Sequence, residues 1–132
     1  MHCEMGWTAL AAGDVAAARR NFHLGVEANE GVGSPKGTGL ALLGLAAVDA
    51  ADGRAERAVA IAAAAHALSE RAGIVIEHPM DPGVVHRIDA LKASIPKGRL
   101  DGLVANARVL SAAAVLAMVS PVVGVEQSGL PS

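Results

Sequence analysis

Two short stretches punctuate this chain forty positions apart. "AAGDVAAARRNF", residues 11–22, and "AADGRAERAVAIA", residues 50–62, each interrupt an apolar run with a Gly-Asp or Asp-Gly pair and then resume it. Aligning Gly13 with Gly53 sets Ala18 on Ala58, Phe22 on Ala62 and Gly25 on Ala65, with Leu10 and Ala11 matched upstream by Ala50 and Ala51. Each unit reads as a helix, a tight turn and a second helix. A helical hairpin cannot bury its apolar stripe alone, so two such units must stack.

Composition points the same way. Of 132 residues, 52% are hydrophobic but only 2% aromatic, and Ala supplies much of the apolar share. Ala is the best helix former, whereas strands favour β-branched and aromatic side chains, sparse here apart from short Val runs. The expected class is all-α. Helical periodicity supports it: Val15, Ala18, Phe22, Gly25 and Val26 repeat at threes and fours, while Arg19, Arg20, His23 and Glu27 fall off that stripe. Val84, Ile88, Leu91 and Ile95 form a second such face, and Leu100, Leu103, Ala107, Leu110 and Ala114 a third.

These patterns predict helices over residues 4–12, 15–29, 38–51, 55–72 and 84–95, then one long or two short helices over 99–119. Residues 29–39, "NEGVGSPKGTG", are dense in turn formers and read as a loop, with Thr38 or Ser34 capping the following helix. Residues 73–83, "GIVIEHPMDPG", read as a second connection, extended and packed on helices. Residues 1–120 form one helical domain in this reading, and 121–132 a flexible tail. Trp7 and Phe22 flank Gly13 so as to pack the first helix on the second.

Trp7, Gly13, Ala18, Phe22 and Gly25 occupy the positions of the large, turn, small, aromatic and small residues of a tetratricopeptide repeat, which the first hairpin resembles. The second matches loosely, with Ala62 at the aromatic position, and the forty-residue offset exceeds that family's period of about 34. Residues 40–73, with Leu42-Leu43-Gly44-Leu45-Ala46, Gly53-Arg54 and Gly73, are similar to the C-terminal helical region of bacterial regulators that join an ATPase or cyclase module to tetratricopeptide-like repeats and a LuxR-type helix-turn-helix. Pro79 to Pro82, Ile88 to Ile95 and Ser111 to Met118 follow in matching order. The resemblance implies a tetratricopeptide-like α–α superhelix of two to three stacked hairpins. Sequences for the ATPase, cyclase and DNA-binding modules are absent from these 132 residues, so those activities are not carried over.

Several function classes lose support on chemistry. A net charge of −2 gives no basic footprint for nucleic acid. The single Cys3 cannot form an internal disulfide, and the N-terminus lacks the pattern of a secretory leader. The uncharged run 109–125 is shorter than the roughly 20 residues of a membrane span and contains Pro121. Lys36-Gly37-Thr38 reverses the order a phosphate loop needs. His78, Asp81 and His86 fit no standard metal-ligand spacing, and no nucleophile–base–carboxylate set can be picked out.

The expectation is therefore a non-enzymatic, cytoplasmic protein-interaction scaffold with no cofactor and no metal. Arg19, Arg20, Arg54 and Arg57 gather positive charge near the two turns and are the candidate protein-binding residues; the plainer reading is a solvated face with intrahelical pairs. Both ends of the array look uncapped, which predicts a homodimer through residues 99–119. The alternative function is a small-molecule sensor with an apolar pocket near Trp7, Phe22 and residues 73–83.

Overall fold

The structure, a computed structural model, describes residues 2–73 and 82–118. They form seven helices: α1 (His2–Ala11), α2 (Val15–Gly31), α3 (Pro35–Ala51), α4 (Ala55–Arg71), α5 (Pro82–Ser94), α6 (Lys97–Ala107) and α7 (Ala112–Met118). No strand occurs among the described residues, and no helix there is long and apolar enough to cross a membrane.

A twenty-residue register underlies the first four helices. Gly13, Gly33, Gly53 and Gly73 all take positive φ, from 69° to 84°. In this left-handed region a Cβ would strain the backbone, so glycine is the residue that ends a helix there. Each Gly N–H donates to the carbonyl three residues back, as in Gly13 to Leu10 (3.0 Å) and Gly53 to Ala50 (3.3 Å). The next N–H donates five residues back: Asp14 to Ala9, Ser34 to Asn29 and Arg54 to Asp49. This is the Schellman arrangement, and the residue after each of those three glycines is also the N-cap of the following helix. Asp14 Oδ1 accepts from Ala17 N, and Ser34 Oγ from Gly37 N. α2, α3 and α4 are accordingly each 17 residues long, about 25 Å.

The expected loop over 29–39 is corrected by this register. α2 continues through Gly31 and α3 starts at Pro35, leaving three residues between them. Pro at the first helical position suits α3 because its φ is preset and it lacks an N–H that would have no acceptor. Ser34 is the cap; Thr38, the other candidate, is buried inside α3 and donates its hydroxyl to Glu30 (3.1 Å). The segment 99–119 resolves into two helices, α6 and α7. The extended reading of residues 73–83 falls mostly outside the described residues, as does the tail 121–132.

α3 is the centre of the fold. Residues 41–49 are buried without a break, so α3 is apolar all round rather than amphipathic. It packs on α1, α2, α4 and α5. α4 follows with an Ala-rich buried face (Ala58, Ala60, Ala62, Ala64, Ala65) that lets helices approach closely, and α5 and α6 pack against it. α7 bridges α2 and α4.

Phe22 is the largest fully buried side chain of this core. It meets Trp7 edge to face, ring centroids 5.0 Å apart at 77°, so the two aromatics do join α1 to α2. A Cβ at Gly6 would lie 2.8 Å from the Phe22 ring, and one at Gly44 only 2.2 Å. The ring therefore fills a slot that two glycines leave in α1 and α3.

Candidate functional site

The four arginines singled out by sequence sit in two different settings. Arg19, Arg54 and Arg57 are engaged by carboxylates of the α3 end, while Arg20 is exposed on α2 and makes no ion pair among the described residues. Asp49, 1% exposed, is the hub. Arg57 reaches it with two donors, Nε to Oδ2 at 2.7 Å and Nη2 to Oδ1 at 2.8 Å, and Arg19 Nη2 adds a third at 3.0 Å. Asp52 accepts from Arg54 Nε at 3.0 Å and from Arg19 Nη2 at 3.3 Å. These contacts staple α2, α3 and α4 at their shared end.

The electrostatics follow from the hydrogen bonds. The Arg54 guanidinium is the main cause holding the Asp52 carboxyl below the usual range; burial, the next largest effect, opposes it, and Arg19 assists. The Arg57 pKa is raised, chiefly by its bond to Asp49. The pair expected for Glu56 within α4 joins two helices instead: Glu56 is held by Arg99 of α6, which lowers the pKa of its carboxyl. Spacing along one helix does not show which partner the next helix will supply.

A second region was not legible in the sequence. An open groove of about 730 Å³ lies where α2 and α4 end, where α3 begins, and where α6 passes into α7. Its apolar lining is Pro35, Leu68, Ala72, Val109, Leu110 and Ala112. Glu30, Thr38, Arg71, Arg108 and Ser111 supply the polar lining. Arg71 donates Nη1 to the Arg108 carbonyl (2.6 Å) and Nη2 to that of Leu110 (3.2 Å), satisfying oxygens that α6 leaves open where it ends. Arg108 pairs with Glu70 at 2.9 Å. Three segments far apart in the chain meet here, and no local motif marks them.

Around Phe22 itself the packing is close, with Gly6 and Gly44 abutting the ring; the side of the expected pocket that residues 73–83 would form falls mostly outside the described residues. Among the described residues, no three His, Cys, Asp or Glu side chains gather as metal ligands would; His78 and Asp81 lie outside them. No family model, no curated protein and no solved structure matches this chain.

Proposed function

We propose that the chain is a non-enzymatic helical-repeat scaffold for protein interaction, working in the cytoplasm, whose docking surface is the outer face of α2. The observation that carries this reading is an exposed ridge with both apolar and cationic character. Arg20, Leu24 and Ala28 succeed one another at four-residue spacing, all exposed, with Leu24 42% accessible. Its neighbours on the same helix, Phe22 and Val26, are fully buried, so the ridge is held on a rigid support. Arg19, Arg54 and Arg57 serve the support and Arg20 the partner. The tetratricopeptide-like superhelix and the likeness to regulator helical regions belong to the same proposal; the recurring glycine turns and the packing of α1 on α3 support them.

A photo-crosslinking residue placed at Leu24 tests the docking face. The expected result is one discrete protein adduct that disappears with Arg20→Glu while the circular dichroism stays unchanged. Adducts matching those from a crosslinker at exposed Lys97, or none at all, overturn the assignment.

Homodimerisation through residues 99–119 is part of the proposal, supported by Val109, which is 80% exposed between α6 and α7. Light scattering across a concentration series is expected to give twice the 13.2 kDa chain mass, with Val109→Asp returning it to a single chain. A single-chain mass at every concentration overturns it.

A further inference from the structure

The groove at the ends of α2 and α4 offers a ligand something specific, and what it offers is read from what is already used. Each polar side chain lining it has a partner within the chain. Thr38 donates to Glu30, Arg71 to two carbonyls, Arg108 to Glu70, and Ser111 Oγ accepts from Ala114 N. Among the described residues the lining carries Glu30, Arg71 and Arg108, and Glu70 beside it pairs with Arg108, so these four formal charges balance. A charged head group therefore finds no net field to draw it in. The surface that remains open to a newcomer is aliphatic: Pro35, Leu68, Ala72, Val109, Leu110 and Ala112, with no aromatic ring to stack on. At about 730 Å³ the space falls within the range of roughly 300–1,000 Å³ typical of small-molecule sites.

We propose that this groove is a binding site for a small, free aliphatic ligand, recognised by its hydrocarbon chain and not by its head group. The site is distinct from the α2 ridge, and either can exist without the other; it shares Val109 with the proposed dimer contact, so a ligand and a second chain compete there. Binding strength follows from buried hydrocarbon. Each added methylene strengthens it until the groove is full, by roughly fourfold per carbon.

Calorimetric titration of the full chain with octanol, nonanol and decanol, each below its solubility limit, tests this. The expected outcome is saturable one-to-one binding that tightens by about fourfold per methylene. Decanol, decanoate and decyltrimethylammonium are expected to bind within about threefold of one another, because charge is not what the groove reads. Ala72→Trp and Val109→Trp, both at exposed lining positions, are expected to weaken all three ligands about tenfold or more by filling the space with helix content unchanged. Affinity that follows head-group charge and ignores chain length overturns the proposal. So does binding that survives both tryptophan variants. Co-sedimentation with phosphatidylcholine vesicles, without saturable binding of the free alcohols, assigns the surface to a membrane and overturns it equally.

Discussion

Phe22 owes its position to two methyl groups that are missing. Gly44 lies in the interior of α3, where Ala would gain roughly 1 kcal/mol of helix propensity. A Cβ there meets the ring at 2.2 Å, however, deep among fully buried neighbours that cannot give way. The overpacking cost, about 1–3 kcal/mol, outweighs the gain. Gly44→Ala should therefore lower the urea midpoint, and Phe22→Leu in the same chain should recover part of the loss; a Gly44→Ala protein more stable than its parent would show that the ring is not wedged. Asp49 presents the opposite case, a buried carboxylate on which two guanidiniums converge. Asp49→Ala leaves Arg19 and Arg57 facing each other, each still partly hydrated at 17% and 26% exposure. The cost should be about 3 kcal/mol, at the lower end for a broken buried pair because water still reaches both arginines. Urea unfolding of that variant gives the value directly, and a loss under about 1 kcal/mol would make the cluster an ordinary surface pair.

Among helices and turns, glycine has two opposite uses within three residues. Gly33 holds φ at +69° with nothing near its absent side chain, so Gly33→Ala meets pure backbone strain of about 1–2 kcal/mol. Gly31 is the last residue of α2, equally open and without positive φ, so Gly31→Ala should be neutral or stabilising by up to about 1 kcal/mol. Melting curves should separate the two variants, with Gly33→Ala falling and Gly31→Ala holding or rising. This contrast also explains what the sequence showed and hid. Gly13 and Gly53 stand out because each interrupts an Ala-rich run, whereas Gly33 is camouflaged by Gly31, Gly37 and Gly39. Gly37 looks like loop material but lies inside α3, where a Cβ would strike the Asn29 side chain at 1.9 Å. Composition reported flexibility there; packing had claimed the glycine.

Between elements, Arg99 of α6 grips Glu56 of α4 and lowers the pKa of that carboxyl. A depressed carboxylate stabilises the fold fully above its unfolded pKa, and that contribution fades as pH falls through the folded value. The window thus lies below about pH 4.5. Arg99→Gln should flatten the acid limb of the stability profile and leave its slope near neutral pH unchanged. An unchanged acid limb would mean that the bridge does not form in solution.

The order of packing ranks the helices by how much must come apart to open them. α3 contacts α1, α2, α4 and α5, whereas α6 rests mainly on α4 with Leu100, Leu103 and Val104 only half-buried and Ala107 its one buried residue. Such a difference was beyond the sequence, because periodicity gives α6 as clean an apolar stripe as α2 without saying how much surface will cover it. The same limit hid the groove, whose walls come from the residues near 30, 70 and 110 and acquire meaning only when α7 bridges α2 and α4. Exposing the amides of α3 requires global unfolding, while those of α6 become accessible once it lifts from α4 and breaks the Glu56–Arg99 bridge. Native-state hydrogen exchange should give α3 an opening free energy equal to that of global unfolding, sensitive to denaturant to the same degree. For α6 it should give a smaller value and weak denaturant dependence, and Arg99→Gln should lower the α6 and α3 values by the same amount, because the bridge is broken in both openings. Equal protection across both helices would instead make all seven one cooperative unit, with α6 bound far more tightly than its half-buried face allows.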